Sequence, residues 1–128
     1  MLQIKLTSVM VDDQAKALAF YTDVLGFVTV MDFPVGEFRW ITVAAPGQPD
    51  VQLALEPNQN PAGKTFQAAL FAQGIPATAF ESTDLEADHA RLMAAGVAFT
   101  KAPTVMGPVK IAVLSDTVGN LIQLYQPV

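Results

Sequence analysis

Cysteine is absent from the 128 residues, and histidine occurs once. No disulfide, thiolate metal site or cysteine nucleophile can form, and a lone histidine lacks the partners that metal or acid–base chemistry needs. Charge is scarce too: seven Lys and Arg stand against twelve Asp and Glu, for a net −5. The basic residues are scattered, which argues against nucleic acid and anionic membranes as partners, since phosphate binding needs clustered cations. No run approaches the roughly 18 apolar residues of a membrane span. The start, Met1-Leu2-Gln3-Ile4-Lys5-Leu6, lacks the basic and apolar regions of a signal peptide, so a cytoplasmic location is expected. Ser8, Ser82 and Ser115 stand in no nucleophile-elbow pattern, and the glycines form no phosphate-cradling motif.

Apolar residues are plentiful, at 52% with a mean hydropathy of +0.37. The length suits one domain that buries its own core, and the excess of apolar residues points to surface hidden between two copies, a homodimer.

The chain repeats itself at an offset of 71 residues: Asp13 aligns with Asp84, Gly36 with Gly107, Arg39 with Lys110, and Gln52-Leu53 with Gln123-Leu124. Each copy opens with an apolar strand (residues 4–11 and 77–82) ended by an Asp placed to cap the following helix. Ala15, Leu18, Ala19, Val24 and Leu25 have helical spacing before Gly26, and a second helix runs from Leu85 to Gly96. Strands are predicted over residues 27–33, 38–44 and 51–55, then 97–101, 109–114 and 121–126. The result is two βαβββ units, 1–56 and 77–128, within one domain. Residues 57–76 read as a linker with a short helix, which either joins the units or covers the mouth of a cavity.

Residues 11–27 carry an Asp, a helix containing Phe20-Tyr21, then Leu25-Gly26-Phe27. Residues 116–124 read Asp-Thr-Val-Gly-Asn-Leu-Ile-Gln-Leu. Both segments resemble the glyoxalase, bleomycin-resistance and dioxygenase family, the vicinal oxygen chelate superfamily, whose closing motif is Asp-Pro-x-Gly-Asn-x-x-Glu-Leu. The resemblance implies an α+β fold in which tandem βαβββ units curl eight strands into an open cup with helices outside. The pairing of units can lie within one chain or be swapped between two. It is far less specific for function, because the fold hosts lyases, isomerases, dioxygenases, epimerases and drug-binding proteins.

In that family a divalent metal is commonly held by four inward residues, from the first and last strands of each unit. Carried over, these are Leu6, Gln52, Ala77 and Gln123. Two hydrocarbons and two neutral amides make a poor shell for a dication. No metal is therefore expected, with a divalent ion as the alternative should the register differ. His89 is expected on the outer helix face. Glu56, which shares strand parity with Gln52, is a weak candidate base. Phe33, Phe38, Trp40, Met106 and Tyr125 are candidate cup residues, and the two glutamines either orient a ligand or hydrogen-bond each other. Arg39 and Lys110 alternate with Trp40 and Ile111, so only one of those sets lines the cup. The expected function is metal-free binding of a small organic molecule, with a metal-dependent lyase, isomerase or oxygenase as the alternative.

Overall fold

Asp13 and Asp84 begin two helices in the same way: each holds an extended backbone while its carboxylate accepts an N–H three residues on, from Lys16 and Ala87. Around these caps the computed structural model, which describes residues 1–128, places two compact units, Met1–Thr65 and Phe66–Val128. The class is α+β, with two four-stranded sheets and no closed barrel.

In the first unit β1 (Leu6–Val11) leads to α1 (Gln14–Ala19), then to β2 (Val28–Val35), β3 (Phe38–Ala44) and β4 (Gln52–Pro57). The sheet order is β1-β4-β3-β2, with β1 parallel to β4 and the rest antiparallel. Alternation and register put Val9, Val11, Ile41, Val43, Leu53 and Leu55 on one face, all buried, against which α1 packs with its buried Ala17. After α1 the chain widens into a π-helical turn, Phe20–Val24. Leu25 N–H donates back to the Phe20 carbonyl, and the Thr22 hydroxyl takes up the Leu18 carbonyl. With the wider turn both consecutive aromatics are buried, and Tyr21 stacks on Phe27. Gln14 fixes the helix to the sheet, its amide donating to the carbonyls of Arg39 and Leu55 and accepting from Arg39 N–H.

The second unit repeats the plan with β5 (Thr78–Glu81), α3 (Leu85–Ala94), β6 (Phe99–Met106), β7 (Val109–Ser115) and β8 (Leu121–Pro127), in the order β5-β8-β7-β6. Here Gln126 plays the part of Gln14, accepting from Leu85 N–H and donating to the Thr83 carbonyl. Gly36 and Gly107 open the β2–β3 and β6–β7 hairpins with φ of 59° and 63°. Only the first central residue of each turn needs positive φ, and glycine supplies it without strain.

Residues 57–76 contain more helix than a linker with a short turn: α2 spans Pro61–Ala72. Asn60 caps it, accepting from Ala62 N–H at 2.9 Å, and Pro61 fits the first helical position. Within the second unit Gln67 is buried against the β7–β8 turn, donating to Asn120 Oδ1 at 3.2 Å. That turn is built on Asp116, fully buried, whose carboxylate accepts from the N–H groups of Val118 and Asn120 and from the Asn120 amide. Gly119 holds a φ of 105°, which glycine adopts without strain, and a Cβ there would meet the amide end of Gln67 at 2.7 Å.

Candidate functional site

Each sheet has a second face, turned away from its own capped helix and called distal below. On β3, alternation assigns Phe38, Trp40, Thr42 and Ala44 to it. Register then adds Gln52, Ala54 and Glu56 from β4, Leu6, Ser8 and Met10 from β1, and Val28, Met31, Phe33 and Val35 from β2. This face carries three aromatics and no Lys or Arg, and its one charged side chain is Glu56. Apolar exposure is high: Leu6, Phe33 and Val35 are about half exposed, whereas Thr42 in the middle is fully buried. In the first unit the start of α2 reaches this face at Met10, whose sulfur would lie 2.7 Å from a Cβ on Gly63.

The second sheet presents Gln123 and Tyr125 from β8, Val109, Ile111 and Val113 from β7, Ala79 and Glu81 from β5, and Lys101, Thr104 and Met106 from β6. The ambiguity between alternate sets is thereby resolved. Trp40 and Ile111 take the distal faces. Arg39 lies on the helix side, paired with Asp32 at 2.6 Å, and Lys110 likewise reaches Glu86 of α3 at 3.3 Å. The Arg39 guanidinium, hydrogen-bonded to Asp32, holds that carboxyl below its ordinary range, and the same contact raises Arg39.

Leu6, Phe38, Trp40 and Gln52 therefore share one distal face, and Met106, Gln123 and Tyr125 share the other. Leu6 sits directly beside Gln52 in the β1–β4 register. In the second unit the residue beside Gln123 is Ala79, not Ala77. Ala77 lies just before β5, its N–H donating to the Leu121 carbonyl. The residue beside the glutamine stands seven residues before the capping Asp in the first unit (Leu6, Asp13) and five before it in the second (Ala79, Asp84), so the offset of 71 does not carry one onto the other. The chemistry of Ala77 and Ala79 is the same, since both are alanine. Beside one another in register stand Leu6 and Gln52 in the first sheet and Ala79 and Gln123 in the second, and no group of three or more His, Asp or Glu converges anywhere. Such a set does not fit a divalent ion.

His89 packs its ring edge-on against Phe99, 4.6 Å between centroids, on the helix side of its sheet. Glu56 is half-buried on the distal face, beside Met10 in the β1–β4 register. Two further features emerge only in three dimensions. Gln52 gives an amide N–H to the Pro49 carbonyl at 3.3 Å while its Oε1 is buried without a partner, and the Thr42 hydroxyl is buried without one as well. A surface concavity at the β3–β4 loop, lined by Gly47, Gln48, Pro49, Asp50 and Val51, holds one charged side chain, and that one pairs loosely with Lys5.

Residues 3–124 match the family model described as Glyoxalase/Bleomycin resistance protein/Dioxygenase superfamily. The uncharacterized protein YurT of Bacillus subtilis is 49% identical over 126 residues, covering 98% of this chain and 99% of that protein. Among solved structures, UcmS2 superposes with a TM-score of 0.84 at 31% identity, covering 98% of each chain. TnmS3, an antibiotic binding protein from Streptomyces sp. CB03234, superposes with a TM-score of 0.78 at 31% identity, covering 100% of this chain and 98% of that one.

Proposed function

Because the chain belongs to the glyoxalase/bleomycin resistance protein/dioxygenase superfamily, whose fold serves unrelated chemistries, we propose that it binds a small uncharged organic molecule without a metal ion. The observation that carries this reading is the makeup of the distal faces. At the places carried over from the family resemblance this chain has two hydrocarbons and two amides, with Phe38 and Trp40 on the same sheet face as Leu6 and Gln52 in the first unit and Tyr125 on the same face as Gln123 in the second. Apolar walls with a few placed polar groups are what small-molecule sites are made of. The likeness to an antibiotic binding protein over the whole chain supports a binder over an enzyme. We further propose that the protein acts as a single domain per chain, as a homodimer, in the cytoplasm.

Two measurements on purified, untagged protein test the reading. Elemental analysis with thermal-shift titration of Mg, Mn, Fe, Co, Ni and Zn salts is expected to show neither a stoichiometric ion nor stabilisation. A thermal-shift screen of neutral aromatic compounds is expected to yield ligands that raise the melting temperature in proportion to the logarithm of concentration. A stoichiometric divalent ion would instead put a metal-dependent lyase, isomerase or oxygenase first, and would bring Glu56 forward as a base. A screen with no binder would sink the small-molecule reading.

A further inference from the structure

Thr42 Oγ1 and Gln52 Oε1 are buried polar atoms with no hydrogen-bond partner. Native proteins rarely leave such atoms unpaired, because each costs the desolvation it suffers on burial. Both belong to the distal face of the first sheet, and they are diagonal neighbours: Thr42 faces Ala54 across β3 and β4, and Gln52 precedes Ala54 by two residues. Diagonal positions in a sheet lie roughly 7–8 Å apart, which one small ligand can span. The two atoms do not satisfy each other, so a third group is needed between them.

We propose that Thr42 and Gln52 form a polar anchor for the hydroxyl of a neutral planar aromatic ligand lying beside Trp40. The inference rests on the small-molecule reading above and narrows its ligand class. Gln52 Oε1 can only accept, so the ligand must donate to it; Thr42 Oγ1 can donate, so the same ligand oxygen can accept from Thr42. One hydroxyl does both, whereas an ether oxygen cannot donate. Neutrality follows from the surroundings, since this face has no Lys or Arg and Glu56 would repel an anion. Aromaticity follows from Trp40, two residues from Thr42 on the same face, and from Phe33, which faces Trp40 across β2 and β3. The anchor is closed in the free protein, so the ligand must displace side chains to reach it. Met31 stands directly opposite Thr42, is partly exposed, and has an unbranched thioether chain that changes rotamer cheaply.

The test compares umbelliferone with herniarin, the same coumarin with its phenol methylated, at mildly acidic pH where the phenol is protonated. Binding is followed by fluorescence titration for the unmodified protein and for Thr42→Val, Thr42→Ser and Gln52→Leu. The unmodified protein is expected to prefer umbelliferone by roughly tenfold, the worth of one well-placed hydrogen bond. Gln52→Leu should abolish most of that preference, Thr42→Val should weaken both coumarins alike because either oxygen can accept from Thr42, and Thr42→Ser should keep the affinities of the unmodified protein. Without ligand, Thr42→Val should melt at or above the temperature of the unmodified protein, because it removes an unpaired polar atom. A drop of several degrees would mean that the hydroxyl has a partner in the free protein, and the anchor would be overturned. Equal binding of the two coumarins would also overturn the anchor and leave the small-molecule reading standing. If neither coumarin binds, the anchor falls, and the wider screen decides the fate of the reading itself.

Discussion

Thr117 is the one residue other than glycine with positive φ, 67°, in the turn between β7 and β8. A β-branched side chain is poorly suited to the left-handed region, where Asn, which bonds its own backbone, is far better tolerated. The turn accepts this because Asp116 holds it from inside with three hydrogen bonds. Thr117→Asn is therefore expected to raise stability by about 0.5–1 kcal/mol, measured by urea denaturation with an unchanged m-value. A loss of stability would show that the hydroxyl or methyl group does something the turn geometry does not reveal. At the same scale, the duplicated Gln52 and Gln123 were legible in the sequence because the offset of 71 aligns them directly. The place of Ala79 was not, since it stands five residues before its capping Asp where Leu6 stands seven before the other, a change of register that leaves no mark in composition. Nor was the isolation of Thr42 legible: whether a buried hydroxyl finds a partner depends on side-chain positions that alternation cannot supply.

Among the elements, strands announced themselves best. The segment 38–44 was read at its observed bounds, because a run of β-formers ends there in a Pro-Gly loop. The sequence predicts a strand ending at Lys101, whereas β6 continues to Met106. Pro103 lies within a register irregularity between Lys101 and Thr104, where its missing N–H is tolerated. α2 is longer than the short helix that composition suggests, since Pro61 and Gly63 look like breakers. Asn60-Pro61 is in fact a start signal, a capping side chain followed by a proline with no N–H to lose. Asn60→Ala is expected to cost about 1 kcal/mol and to speed hydrogen exchange in the first turns of α2 more than in α3, which Asp84 caps independently. Equal protection in both variant and parent would mean that contacts such as Met10 against Gly63 hold the start of α2 without the cap.

For the whole molecule, the open question is what covers the apolar surface that single chains leave exposed. β2 is an edge strand with every residue exposed, among them Val28, Val30, Phe33 and Val35, and the edge strand β6 exposes Val105 and Met106. Asp32, Pro34, Lys101 and Pro103 interrupt these edges, as natural sheets do to resist open-ended pairing, but charged residues make up only 15% of the chain. Net charge of −5 favours dispersal, so the burial must be specific rather than aggregative. A closed pair of identical chains meets both conditions, because a twofold contact uses up the exposed patch on each copy and leaves none for a third. Size-exclusion chromatography with light scattering is accordingly expected to give a mass twice the chain's 13.7 kDa, stable to dilution into the low micromolar range. Replacing Phe33 or Val105 with Glu should shift the population toward monomer if either edge lies in the contact. A monomer at high concentration, unaffected by either substitution, would overturn the homodimer and leave the exposed residues of β2 and β6 facing water.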